Sequence, residues 1–267
     1  MSQMKDIARG LSANGAAAGP TTKGHYLLYT DTGKLVVKLW TGETFSDEQL
    51  VSSSVRRGST AGYVTLASNK SLAVAITSDS KLAVFQYDEE EEEWTQDSTL
   101  PAVAVHPSGK LAATLWQERV LVVVQAAGGE LLHLSKPASG GAWASSQLTT
   151  AVTPLAGTAL SFSHPGGDVF YVSGADQKIH GLYESESWAD SVLAGAQVAA
   201  LTQVFVVSGG TKETVEAYGL TPENAVLHIP AGGEKVVLGD IQADGSFAAK
   251  VKAEYCNTNT NTTCVIA

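Results

Sequence analysis

The chain has 267 residues and a formal net charge of −10, room for one large domain or two small ones. An acidic balance with only four arginines (Arg9, Arg56, Arg57 and Arg119) argues against a nucleic-acid or anionic-membrane partner. No apolar run reaches the length of a membrane span.

The N-terminus, MSQMKDIARG, has no apolar signal core, so the chain is either cytosolic or trimmed of a leader. From there one unit recurs: an apolar strand, a small polar turn, a second apolar strand, then an aromatic residue. It reads HYLLYTDTGKLVVKLWTGETF, SLAVAITSDSKLAVFQYDEEEEEW, RVLVVVQAAGGELLHLSKPASGGAW, DVFYVSGADQKIHGLYESESW and, more weakly, TVEAYGLTPENAVLHIPAGGEKV. The turn positions are Gly33, Ser80, Gly129, Gln177 and Glu223. The aromatic positions are Phe45, Trp94, Trp143 and Trp188, with Val237 in the fifth unit. Both markers keep a period of about 47 residues, the size of a four-stranded propeller blade. Period-2 alternation and Gly/Asp turns argue against a helical solenoid. Between the hairpins lie GYVTLAS, KLAATLW, ALSFSH and VAALTQ, apolar runs rich in small residues that suit the innermost strand of each blade.

The expected fold is therefore all-β, a β-propeller of four-stranded blades in a single domain over residues 1–267. The remainder FAAKVKAEYC…CVIA amounts to half a blade and is expected to pair with N-terminal residues, closing a six-bladed ring, with five blades as the alternative. Cys256 and Cys264 flank the polar turn NTNTNTT and read as a disulfide or as two free thiols. With sequons at Asn69 and Asn261 they favour a secretory route over the cytoplasm.

No nucleophile elbow, zinc motif, nucleotide loop or cysteine cluster is present, so neither a cofactor nor a metal is expected. The acidic run Asp88–Glu93 reads as a solvated loop tip, with a loose cation site as the alternative. His106 and His164 sit in HPSG and HPGG turns; His133, His180 and His228 lie on or beside the third strand of successive blades.

YTDTGKLVVKLW, TSDSKLAVFQYDEEEEEW and GADQKIHGLYESESW resemble the blade pattern of the fungal fucose-specific lectins, which are six-bladed propellers. That resemblance implies sugar sites between blades, built from an Arg, a Glu and an aromatic. Laid on this chain, the Glu positions become Val37, Val84, His133, Gly181 and Leu227. The Arg positions become His25 or Tyr26, Leu72, Leu121, Val169 and Val215, so no blade keeps the polar pair. The scaffold and the apolar positions are also similar to the fungal hetero-Diels–Alderases of tropolone–sesquiterpenoid biosynthesis, lectin-like propellers that join a quinone methide to a humulene-type terpene.

That second resemblance gives the leading expectation, a pericyclase acting on small apolar or aromatic substrates. A fucose-binding lectin and a non-catalytic interaction propeller are the alternatives. The site is expected in a groove between blades or at one mouth of the ring. Tyr26, His133, His180 and Arg119 are the expected donors, and Trp40, Trp116, Trp143, Trp188 and Tyr183 the aromatic walls. The oligomeric state is open, a dimer included.

Overall fold

The structure is a computed structural model that describes residues 25–251 apart from 31, 42–43, 67–69, 165, 194–196, 199, 209–214, 232 and 243–245. Cys256, Cys264, Asn69 and Asn261 lie outside the described residues. Among the described residues, twenty strands form antiparallel blades in chain order. Blade one holds β1 (His25–Tyr29), β2 (Leu35–Trp40) and β3 (Phe45–Ser52). Blade two holds β4 (Gly62–Thr65), β5 (Ser71–Ile76), β6 (Leu82–Asp88) and β7 (Glu93–Gln96). Blade three holds β8 (Leu111–Trp116), β9 (Arg119–Gln125), β10 (Leu131–Pro137) and β11 (Ala144–Leu148). Blade four holds β12 (Leu160–His164), β13 (Val169–Val172), β14 (Ile179–Tyr183) and β15 (Ala189–Val192). Blade five holds β16 (Gln203–Ser208), β17 (Val215–Leu220), β18 (Ala225–Pro230), β19 (Val236–Ile241) and an added β20 (Phe247–Ala249).

The protein is an all-β propeller of four-stranded blades. Blade one supplies the second, third and fourth strands of the pattern; the residues before it lie outside those described. The inner strands run side by side, and β12 pairs in parallel with β16 through Ser163↔Val206 and His164↔Val207. Small residues allow this approach: a Cβ on Gly62 would lie 2.5 Å from that of Ala113 on β8.

The repeat's turns fix its register. Gly33, Ser80, Gly129 and Gln177 all have left-handed φ values, of 79°, 62°, 94° and 56°. In blade five that conformation belongs to Asn224 (φ 65°), one residue beyond the expected Glu223, because Asn tolerates it better than Glu. The turn's carbonyl holds the linker to the next blade: Val55, Val105 and Val198 donate their amides to Gly33, Ser80 and Gln177 at 3.0, 2.8 and 2.6 Å. One other expectation changes. The inner strand of blade five is Gln203–Ser208, not VAALTQ, whose alanines give way to β-branched and aromatic residues in QVFVVS. β20, from the segment expected to close the ring, adds to β19 through Asp240↔Ala248; the N-terminal residues expected to pair with it lie outside the described residues.

The core lies between blades, so middle strands are apolar on both faces and read as continuous runs. All six residues of β5 are buried, as are the four of β13. Leu28, Val37 and Phe85 fill the space between blades one and two; Val84, Val122 and Leu134 that between two and three. Leu121, Phe162 and Tyr171 lie between three and four; Phe170, Tyr183 and Val206 between four and five. Lys110 spans the inner end of the ring, donating from Nζ to the carbonyls of Leu201 and Thr202 at 2.9 and 2.5 Å. Burial without a carboxylate partner pulls its pKa down to about 8.

Candidate functional site

Because side chains alternate along a strand, Arg119, Leu121 and Val123 of β9 share one face with His133 and Ser135 of β10. That face turns towards blade four. There Trp116, Trp188, Leu121 and Phe162 pack in one apolar cluster. Arg119 donates to Glu184 Oε1 at 3.3 Å and to Ser135 Oγ at 2.7 Å. The His133 ring packs 4.9 Å from the Trp188 ring and 6.5 Å from Phe162. Gly167 makes room for the meeting: a Cβ there would be 2.7 Å from Trp116 and 2.9 Å from Glu184.

His133 is only 5% exposed, and its Nε2 is buried without a hydrogen-bond partner among the described residues. Burial, reinforced by the Arg119 charge, lowers its pKa to about 4, so the imidazole is neutral at pH 7. A neutral imidazole offers one donor and one acceptor. A buried polar atom left unsatisfied costs about 1–3 kcal/mol, which a ligand group could recover.

The groove's presenting loops are strained. Trp116 and Arg119 face each other across a two-residue hairpin whose Gln117 and Glu118 both have positive φ, 48° and 56°. Such turns favour Asn-Gly. On the other wall a 3-10 turn, Glu184–Glu186, leads into Ser187 and Trp188, left-handed at 55° and 65°. Asp168 accepts the Glu184 amide at 3.0 Å, and the Trp188 amide closes the loop on Tyr183 O at 2.9 Å. Both walls of the groove thus carry non-glycine residues in left-handed backbone. Replacing Gln117-Glu118 with Asn-Gly is expected to raise stability by about 1 kcal/mol in urea denaturation. A loss of stability would mean that the native pair makes contacts worth more than the strain.

Four of the nine residues singled out in the sequence thus meet here: Arg119, His133, Trp116 and Trp188. The rest do not. Tyr26 stacks on Tyr63 between blades one and two, centroids 5.0 Å apart. Trp143 donates its indole N–H to Asp97 between blades two and three. Trp40 is buried against Phe45 in blade one, and Tyr183 meets Phe170 edge-on towards blade five. His180 does not stand free as a donor: Nδ1 lies 2.9 Å from Asp190 and Nε2 3.1 Å from Asp176, with Tyr171 donating to Asp190 at 2.6 Å. Ser135 and Glu184 were not foreseen, although Ser135 follows His133 by one strand period.

The register also changes which residues of blade five stand at the lectin-like positions. In blade five the turn at Asn224 moves the lectin-like positions by one residue, from Val215 and Leu227 to Glu216 and His228. His228 Nε2 lies 3.3 Å from Glu216, and its ring stacks on Tyr218 at 5.0 Å. In blade three Arg119 lies one strand period from Leu121, on the same face.

No family model matches the chain, and no curated protein matches it. Solved structures do. The fucose-specific lectin from Aleuria aurantia superposes with a TM-score of 0.61 at 19% identity, over 86% of this chain and 77% of that one. The SapL1 lectin in complex with alpha methyl fucoside gives 0.59 at 14%, over 83% and 80%. The Nidogen/Laminin complex gives 0.53 at 10%, over 81% and 75%. At such identities the likeness shows the propeller fold alone, and propellers host unrelated functions. No helix among the described residues is long and apolar enough to cross a membrane.

Proposed function

We propose that the protein is a carbohydrate-binding propeller that takes a neutral, fucose-type sugar in the groove between blades three and four. The observation that carries this is the buried, unpartnered Nε2 of His133 beside the Arg119–Ser135–Glu184 set and the Trp188 ring. A deoxy sugar has hydroxyls on one side and an apolar patch on the other. Arg119, His133 and Ser135 suit the hydroxyls; Trp188 and Trp116 suit the patch. Arg119 and Glu184 cancel in charge, which favours an uncharged ligand. The pericyclase reading asks for apolar grooves with few donors, and this polar set favours a polyol over a terpene. The two lectins named above, which share the fold, add support.

The test is calorimetric titration with methyl α-L-fucoside. Saturable binding is expected. Arg119→Ala should weaken it about 10- to 100-fold, the worth of hydrogen bonds to a charged group, with the melting temperature as a folding control. No heat in excess sugar would sink the reading. An enantioenriched adduct from a quinone-methide precursor and humulene would then install the pericyclase instead.

A further inference from the structure

Tryptophans recur between blades, but their indoles are not in the same state. Trp94 donates its N–H to Gln49 of blade one at 3.1 Å, and Trp143 donates to Asp97 of blade two at 3.1 Å. Both are tied to the preceding blade. The Trp188 indole makes no hydrogen bond among the described residues.

The polar positions differ in the same way. Between blades one and two, the Tyr26 ring lies stacked on Tyr63, and Tyr63 donates its hydroxyl to Ser71. Between two and three, the lectin-like positions are the buried Leu72 and Val84, and Lys136 Nζ lies over the Trp143 ring, 5.7 Å from its centroid. Between four and five, the space beside Gly181 is filled: a Cβ there would meet Phe170 at 2.8 Å and Tyr183 at 2.9 Å. On the outer face of blade five, Glu216 accepts from both His228 and Tyr218 at 3.3 Å. Only the groove between blades three and four, among the described residues, joins a ring with a free indole N–H to a buried polar atom without a partner.

We infer that the protein binds one ligand per chain, in the groove between blades three and four, the other grooves among the described residues being closed by their own side chains. This rests on the sugar reading above. Each closed groove trades a ligand's hydrogen bonds for internal ones, so opening it would cost at least one bond already made. The chain on its own is then a single-site receptor that cannot bridge two glycans.

Calorimetry with methyl α-L-fucoside, counted per chain, is expected to give a stoichiometry of one. Trp188→Ala should remove essentially all of the binding, at least tenfold in affinity, the size of a central aromatic contact. A stoichiometry of two or more, or a residual site of unchanged affinity in Trp188→Ala, would overturn the count while leaving the sugar reading intact. No binding by the unsubstituted protein would overturn the reading, and the count with it.

Discussion

Asp97→Ala is expected to destabilise the protein by about 3 kcal/mol, the low end of the cost of stripping one partner from a buried ion pair, because this pair is only partly buried. Asp97 follows β7 in blade two, and its partners come largely from blade three. Lys136 Nζ donates to it at 2.8 Å and the Trp143 indole at 3.1 Å; the Thr99 amide and hydroxyl add bonds at 2.8 and 2.6 Å. The Asp97 and Lys136 side chains are 10% and 16% exposed, so water screens the pair weakly. Burial alone would raise the Asp97 pKa, but the bonds from Lys136, Thr99 and Trp143 outweigh it and hold the carboxyl well below its usual range. The stabilisation is therefore present above the unfolded carboxylate pKa near 3.9 and is lost as pH falls below it. Removing the carboxylate leaves Lys136 partly buried and unpaired, so Asp97→Ala/Lys136→Met should recover much of the loss. Urea midpoints measure both variants. A loss below about 1 kcal/mol for Asp97→Ala would show the pair to behave like a surface bridge.

The second large effect is on pH. The folded-state pKa of His133 is about 4, against an ordinary 6.5. The unfolded chain therefore binds the proton over that interval and the folded chain does not. Stability falls as pH drops from about 6.5 to about 4 and levels off below. That difference makes the change of order 3 kcal/mol. His133→Phe keeps a ring beside Trp188 and removes the titration. The difference in stability between the two proteins should shift by that amount between pH 7 and pH 4. A pH-independent difference would mean that His133 is protonated where it lies, its burial relieved by water or by a shift of Arg119.

The Asp97 and His133 predictions draw on pairs that lie far apart in the chain, and this marks where sequence reading stopped. The blade repeat, the left-handed turns at Gly33, Ser80, Gly129 and Gln177, and the inner strands of blades two to four were legible because each depends on local chemistry: alternation, turn conformation and small residues. Blade five slipped by one residue because Glu223 and Asn224 are both turn residues; the choice rests on which side chain tolerates a positive φ. That single residue hid Glu216 behind Val215 and His228 behind Leu227.

The site was legible in part. Arg119, His133, Trp116 and Trp188 were visible as suitable residue types, and their shared face follows from strand period. What the sequence did not determine is which of the recurrent tryptophans is spent on packing. Trp94 and Trp143 carry the same signal as Trp188 at the same period. Gln49 and Asp97, the acceptors that tie down the first two, come from the preceding blade. His180 likewise resembles His133 in the chain, yet Asp176 and Asp190 occupy both its nitrogens. The amino-acid sequence alone determined the propeller, its strands and the side chains offered to each groove, because those follow from neighbours within a few residues. The tertiary structure alone decided which groove keeps unsatisfied hydrogen-bonding groups, because satisfaction is a property of pairs, and the partners meet only when adjacent blades pack.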